Sequence, residues 1–489
     1  MALSKVPTLH MDHFRMLIGG KLVESESGRW FDSINPANEE KLGQVPRAST
    51  VDVERAVEEA EKAQPAWASL PVEKRSEYLR RLAEALTKRS EEALYLEVLD
   101  TGNTIYKMKY DVGSGISQLL YYAGLGYEAK GHTIPATPGN LHFTVREPFG
   151  VVGRLIPFNH PIMFAIAKMG PPLMAGNTMV IKPSQQTPLS ACLLAEVCQQ
   201  VLPPGVVNIV TGFGSEAGEA LVRHPRVRRL ALIGSVKTGL AIQRSAAEVA
   251  VKYITLELGG KNPMVIFPDA DLSRAIPAAV DGMNFAWQGQ SCGSTSRLFV
   301  HESVYDQVVQ EVVRIVSSLR LDDPLKWEAQ MGPINNKAQY EKVQYYVEAG
   351  KEEGARLVTG GKRPNGKQFE RGYWLEPTVF ADVKANMRIA REEIFGPVLS
   401  VFRWKNLDEV REAANSVEYG LTASIWTKDL ATALRAAQWL QAGYIWINNV
   451  GAHYPAMPFG GFKNSGIGRE EGFEELLSYT QEKSIHIVM

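Results

Sequence analysis

A cysteine set among glycines and small polar residues is the first feature of this chain able to do chemistry. It is Cys292, at the centre of Phe285-Ala-Trp-Gln-Gly-Gln-Ser-Cys-Gly-Ser-Thr-Ser-Arg297, with Ser291 before it and Gly289 and Gly293 nearby. Such neighbours let backbone N–H groups approach a reacting atom, and a thiolate is a strong nucleophile. The alternative is a small packing hydrophobe, although packing cysteines usually sit among Val, Ile and Leu. Cys192 and Cys198, six apart on one expected helix, fit the packing description.

Three other segments carry groups that would suit a nucleophilic thiol. Leu256-Glu-Leu-Gly-Gly-Lys261 places Glu257 among apolar neighbours at a strand end, where burial raises a carboxyl pKa toward that of a general base at neutral pH. Ile156-Pro-Phe-Asn159 offers a neutral amide donor, and Glu392-Glu-Ile-Phe-Gly-Pro397 offers acids beside a Phe and a turn. Taken singly, each has a plainer alternative: Glu257 as a solvated loop acid, Asn159 as a turn-former, Glu393 as a surface charge.

The background is that of a globular enzyme. The chain of 489 residues is long enough for two or three domains, with 45% hydrophobic and 22% charged residues. Its 53 basic and 54 acidic residues give a net charge of −1, which argues against nucleic acid or a membrane surface as partner. Three cysteines build no disulfide framework, and no Cys-x-x-Cys pair suggests zinc, so no metal site is expected. The opening Met-Ala-Leu-Ser-Lys-Val-Pro lacks the apolar core of a secretory signal, and no apolar run reaches the length of a membrane span. A cytoplasmic location is the expectation.

The elements that must position these groups alternate. Short strands and turns open the chain, charged helices are expected over 51–64 and 71–89, and a third helix over 90–100. Residues 126–148 read as an exposed strand pair extending from the main body. Apolar strands at 150–156, 178–181, 206–210, 229–233 and 252–256 alternate with helices at 161–176, 187–200, 215–223 and 236–247. Continuously apolar strands separated by helices indicate an α/β fold with a doubly wound parallel sheet. Ligands bind such sheets beyond the carboxyl ends of the strands. The usual GxGxxG is missing; Gly212, Gly214 and Gly218 are spaced GxGxxxG instead, and the helix start after Gly234-Ser235 is a candidate phosphate site. From 261 to 460 a second α/β unit is expected, including a helix over 271–287. A glycine-rich loop at 458–468 is expected without a strand of its own, and an edge strand over 478–489.

In this order, Pro157-Phe-Asn-His-Pro161, Lys182-Pro-Ser184, Gly234-Ser235, Glu257-Leu-Gly-Gly-Lys261, Gly289-Gln-Ser-Cys292, Glu393-Ile-Phe-Gly-Pro397 and Pro458-Phe-Gly-Gly461 resemble the aldehyde dehydrogenase superfamily, across about residues 15–483. The resemblance implies a dinucleotide-binding domain (1–125 and 149–260), a catalytic domain (261–460) and a small β oligomerisation arm (126–148 and 470–489), assembled as a homodimer or homotetramer. It implies NAD(P)-dependent oxidation of an aldehyde through a thiohemiacetal and thioester on Cys292. Asn159 and the Cys292 N–H would form the oxyanion hole, and Glu257 would activate water. Lys182 and Gln185 fall at the adenosine ribose, Gly214 and Ser235 along the dinucleotide, and Glu393 at the nicotinamide ribose with Phe395 beside it. Ile156, Phe158, Ser184 and Leu258 complete the implied cofactor set. Phe164, Trp287, Ser291, His453, Tyr454 and Phe459 match the substrate tunnel.

Departures from the family pattern sharpen the expectation. The family often has Glu where this chain has Gln185, and losing that carboxylate removes a repulsion against a 2′-phosphate. NAD is therefore expected, with NADP left open. The proline turn reads Phe158-Asn159-His160 in place of Trp-Asn-Phe, which keeps the amide donor; His160 is read as a packing residue. An aromatic-rich tunnel suits an aromatic or mid-sized hydrophobic aldehyde, or a quaternary ammonium aldehyde through cation–π contact, as in a betaine-aldehyde-type enzyme. A CoA-acylating semialdehyde dehydrogenase is the alternative, disfavoured because Glu257 supplies a water-activating base. A non-enzymatic, fold-only member is disfavoured by the joint presence of Cys292, Glu257, Asn159 and Glu393.

Overall fold

The computed structural model of the protein describes residues 14–489. The expectation about the first seven residues lies outside the described residues, as does the start of the 1–125 segment.

Five apolar strands form the centre of the first sheet: four are buried along their whole length and the fifth, Tyr253–Glu257, over its last three residues. Their order is Val207–Ile209, Thr178–Lys182, Val151–Leu155, Arg229–Ile233, Tyr253–Glu257, all parallel. Side chains alternate between the two faces. Val152, Met179 and Ile181 enter one core with Trp67, Tyr122 and Leu193, while Val151, Val180 and Leu230 enter another with Val53, Val57 and Leu221. This is the doubly wound α/β arrangement expected. Strand order reverses between Val151–Leu155 and Arg229–Ile233, and that switch opens a crevice at the carboxyl ends of both strands. Antiparallel strands close each edge: Met16–Ile18 and Lys21–Val23 on one side, Gly466–Ile467 on the other.

The second sheet follows at once. Its order is Arg356–Thr359, Thr378–Ala381, Val398–Trp404, Arg297–His301, Pro263–Ile266, Thr422–Trp426, Tyr444–Ile447, parallel except for the first pair. Glu257 ends the last parallel strand of the first sheet, and Pro263 begins a central strand of the second. The intervening link therefore runs through the seam between the sheets. A small third sheet pairs Thr480–Val488 antiparallel with Asn140–Pro148, which also carries Thr133–Ile134.

Several local expectations change. The glycine-rich loop carries two short strands: Phe462–Lys463 pairs with Tyr419–Gly420 beside the second sheet, and Gly466–Ile467 extends the first. Gly466 has φ +143, and a Cβ there would strike the Leu256 carbonyl, so a glycine permits this pairing. The helix expected over 271–287 ends at Gly282; Asn284 and Gln288 take left-handed backbone on either side of the 3₁₀ turn Phe285–Trp287. That break turns the chain toward Cys292. The helix over 161–176 splits into Pro161–Ala167 and Gly170–Met174, since Pro171 and Pro172 lack the N–H groups to continue a ladder. The segment after Gly212 starts as a π turn, Gly214–Gly218, before the short helix Glu219–Arg223. The helices Ile105–Gly124 and Lys337–Glu352 were not anticipated. The first contains three glycines, and in isolation they weaken a helical signal; its Gly115 packs against the Met163 backbone.

Candidate active site

The seam between the sheets holds two cavities, and Cys292 and Glu257 are the two residues that line both. The larger, about 350 Å³, lies at the switch point of the first sheet. Its walls include Ile156, Phe158 and Asn159 after one strand, Lys182, Ser184 and Gln185 after the next, Gly214, and Ser235 after a third. Glu393 and Phe395 close it from the second domain. Apart from Asn159, expected as the oxyanion donor, these are the residues expected from the sequence to bind the cofactor, and one of that set is missing from the wall. Leu258 turns into the core, where it packs against Gly239 of the helix Val236–Ala247 and leaves the wall to its neighbours.

The lining of this cavity suits a phosphorylated ligand. Ser235 caps the twelve-residue helix Val236–Ala247, accepting from the Thr238 N–H at 3.2 Å, so the helix presents its positive end to the cavity. A Cβ at Gly214 would meet open space, leaving the backbone bare toward a ligand. Burial lowers the Lys182 amine to about 7, and the amine donates to the Pro183 carbonyl at 2.9 Å. Glu393 is pushed up by burial, which the nearby Lys342 opposes, and it accepts from the Gly260 N–H at 2.9 Å. A side chain at Gly259 would collide with that carboxylate. Phe158 and Phe395 meet edge to face at 5.8 Å.

The smaller cavity, about 90 Å³, lies on the other side of Cys292. Phe164, Trp287, Ser291, His453 and Phe459 line it as read from the sequence, joined by Met163, Trp446, Tyr110 and His160. Tyr454 does not: it is 55% exposed, and its hydroxyl accepts from the Asn449 side chain at 3.4 Å. The chain turns outward at 454–457, which carries the ring away from the cavity. His160 packs against Phe164 and Trp287, and its Nδ1 is hydrogen-bonded to the buried Asp111 at 2.7 Å. His453 pairs with Glu471 at 2.9 Å; burial opposes its protonation, but the carboxylate outweighs burial and raises the imidazole pKa.

Electrostatics at the junction depart from a simple activated thiolate. Glu257 is 3% exposed with no hydrogen-bond partner on either oxygen, and burial holds its carboxyl well above the usual range. Burial also pushes the Cys292 thiol up, and the adjacent Glu257 adds to the shift. Glu257 thus opposes ionisation of the thiol, whereas the adjacent Cys292 acts the other way on Glu257, favouring its carboxylate against the effect of burial. The positions are fixed locally. Asn262 donates to the Cys292 and Ser294 carbonyls at 2.7 and 2.9 Å, while its own oxygen accepts from the Thr422 N–H. Ser465, in the glycine-rich loop, donates to the Gly259 carbonyl at 2.7 Å.

Behind the smaller cavity is a buried ionic cluster that the sequence did not announce. Glu470 bridges Arg154 at 2.8 Å and Lys168 at 3.1 Å, and Lys168 also reaches Glu475 at 3.1 Å. Burial alone would raise the Glu470 pKa; the two cations reverse this and bring it to about 2. In sequence Glu470-Glu471 has the appearance of a solvated pair, and only a basic residue inside an apolar strand, Arg154, hinted otherwise. Among the described residues no group of three or more His, Cys, Asp or Glu side chains could hold a metal ion, and no helix is long and apolar enough to cross a membrane.

Two largely parallel sheets thus meet at Cys292 with a cavity on either side, and comparison with known proteins places this architecture. The chain belongs to the aldehyde dehydrogenase family, whose model matches residues 22–485. It is 46% identical over 463 residues to the aldehyde dehydrogenase tropH of Talaromyces stipitatus, covering 93% of this chain and 90% of the other. The structure is similar to an NAD+ complex of aldehyde dehydrogenase from Bacillus cereus, with TM-score 0.94, 41% identity and coverage of 97% and 96% of the two chains. It is similar also to a betaine aldehyde dehydrogenase from Staphylococcus aureus in complex with NAD+, with TM-score 0.94, 35% identity and coverage of 97% and 94%.

Proposed function

We propose that the protein oxidises an aromatic or mid-sized hydrophobic aldehyde to its carboxylic acid with NAD, using Cys292 as nucleophile. The observation that carries this is the pair of cavities sharing Cys292 and Glu257: one is lined by a helix start, glycines and polar groups that suit a dinucleotide, the other is small and aromatic. In this reading residues 1–125 and 149–260 bind the cofactor and 261–460 hold the nucleophile. The three-stranded sheet, with 126–148 and the C-terminal strand, serves a homo-oligomer.

The residues have separable tasks. Lys182, Ser184 and Gln185 hold the adenosine ribose, the helix start at Ser235 faces the pyrophosphate, and Glu393 with Phe395 holds the nicotinamide riboside. When bound there, the nicotinamide supplies the hydride acceptor and a positive charge that favours ionised groups near it. The Cys292 thiol releases its proton to solvent water, the sulfur electron pair bonds to the carbonyl carbon, and the carbonyl π pair moves to oxygen, giving an oxyanion held by the Asn159 amide and the Cys292 N–H. The carbon then gives up hydride, leaving a thioester. Glu257 removes a proton from water, the water oxygen bonds to the thioester carbon, the carbon–sulfur bond breaks, and the acid departs.

The aromatic wall also favours a second substrate class. Trp287, Trp446 and Phe459 present faces able to hold a trimethylammonio group by cation–π contact, and similarity to a betaine aldehyde dehydrogenase supports testing it. A panel of benzaldehyde-type, aliphatic and trimethylammonio aldehydes, run with NAD and NADP and followed by reduced-nicotinamide absorbance, tests both. Highest kcat/KM is expected for the aromatic aldehydes with NAD. Fastest turnover on short aliphatic aldehydes would reject the substrate assignment, and no turnover on any aldehyde would reject the activity.

A further inference from the structure

The oxyanion donor and the nucleophile come from different domains, so something must hold them in register. Asn159 follows a strand of the first sheet, while Cys292 precedes a strand of the second. A set of buried neutral amides spans the gap. The Asn103 side chain donates to the Asn159 carbonyl at 3.0 Å. One residue earlier, the Gly102 carbonyl accepts from Gln288 Nε2 at 3.3 Å. Gln288 Oε1 accepts from Gln290 Nε2 at 2.8 Å, and Gln290 Oε1 accepts from the Asn335 N–H at 3.3 Å. Asn335 then returns to the start, donating through Nδ2 to the carbonyls of Asp100 and Thr101 at 3.2 Å each.

The path is therefore closed: it begins and ends on residues 100–103, at and just after the C-terminal end of the helix Ser90–Thr101, and passes through the two glutamines that lead into Cys292. Asn103, Gln288, Gln290 and Asn335 are each at most 4% exposed. Buried amides cost stability unless their groups are paired, and a satisfied network of them fixes one arrangement. Backbone geometry agrees. Gly102 has φ +76 and Gln288 φ +52, both left-handed, and a Cβ on Gly332 would collide with the Gly102 carbonyl that Gln288 binds. Because no member carries a charge, the link makes no demand on the protonation of Glu257 or Cys292.

We propose that this amide circuit is a positioning device that sets the Asn159 donor against the Cys292 loop across the domain seam, with Asn103 as the residue acting on Asn159. The proposal rests on the aldehyde-oxidising function above. It requires Asn103 to matter where an oxyanion forms and not where the thiol reacts without one. A misplacement of about 1 Å in such a site typically costs about 10²-fold in rate.

The test is a double-mutant cycle of Asn103→Asp with Asn159→Ala, since a carboxylate at 103 fills the same volume but cannot donate to the Asn159 carbonyl. Asn103→Ser is the second variant, should the buried charge prevent folding. Expected for the 103 variant alone is a loss of about 10²-fold in kcat, with KM for NAD and the iodoacetamide alkylation rate of Cys292 within about twofold of wild type. In the Asn159→Ala background the same substitution is expected to add less than about threefold, because the side-chain donor it positions is already gone. Additive losses, or alkylation falling in parallel with kcat, would overturn the positioning role while leaving wild-type aldehyde oxidation intact. Absence of aldehyde turnover in the wild-type protein would instead overturn the proposed function, and this inference with it.

Discussion

The two cavities beside Cys292 are made of different materials, and the difference divides the labour. The larger cavity is lined by residues at the ends of parallel strands, a helix start, glycines, the rings of Phe158 and Phe395, and polar groups such as Lys182, Gln185 and Glu393. In the proposed reading its ligand is recognised by geometry that the parallel sheet supplies wherever strand order reverses. The substrate-side cavity is formed by side chains from the helices Ile105–Gly124 and Pro161–Ala167 and from loops at 284–293 and 451–471. Its shape can change with single residues while the sheet stays put. Scaffold geometry thus favours a common cofactor, and loop side chains favour a particular aldehyde.

The strongest way to break this division is at the shared residues. Cys292→Ser is expected to lower kcat/KM on the order of 10⁴-fold or more, with NAD binding, measured by fluorescence quenching, unchanged. Retained turnover would remove the nucleophile from the scheme. Glu257→Gln is expected to cost about 10²–10⁴-fold in steady-state kcat, while a single burst of reduced cofactor per active site persists because only thioester hydrolysis is blocked. The pH profile separates the two roles. A base must lose its proton, and the Glu257 pKa is raised, so kcat should climb with pH through a limb lying above the ordinary carboxylate range near about 4.3. In Glu257→Gln that limb should vanish; its survival would assign it elsewhere.

Smaller effects test each cavity alone. Asn159→Ala is expected to lower kcat about 10²–10³-fold, with little change in KM for NAD, as loss of one oxyanion donor does. Gln185→Glu should sharpen the preference for NAD over NADP by about tenfold through repulsion of the 2′-phosphate and a charge-assisted bond to the ribose. Equal use of both cofactors by this variant would show that the ribose lies elsewhere. Aldehyde ranking should not move with it, and a shift would deny that the cavities act separately.

Much of this was legible in the chain. The strand–helix alternation over 150–257 is explicit because strands buried on both faces have no polar alternation to hide them. Residues near strand ends, such as Asn159, Lys182, Ser235 and Glu257, could be placed at the crevice for the same reason. Tyr454 and Leu258 could not be sorted from their neighbours, since whether a loop side chain turns in or out depends on contacts elsewhere in the fold. The helix Ile105–Gly124 went unread because its glycines are tolerated through packing and not through propensity. Glu470 was opaque for a related reason: its partners Arg154 and Lys168 are distant in sequence, and only their joint burial makes a surface-like acid into part of an ionic cluster.

The order of residues by itself determined which groups can react and which strand each one follows, since those depend on side-chain type and local apolar runs. It also determined that the first sheet must reverse its order somewhere after 150. Tertiary structure alone decided that Glu257 and Cys292 are buried side by side with both pKa values raised, that two cavities meet there, and that amides from three separate segments tie the seam together. Burial and proximity are properties of the packed whole: a carboxyl or an amide takes its energy from what surrounds it in space, and that is absent from the chain read end to end.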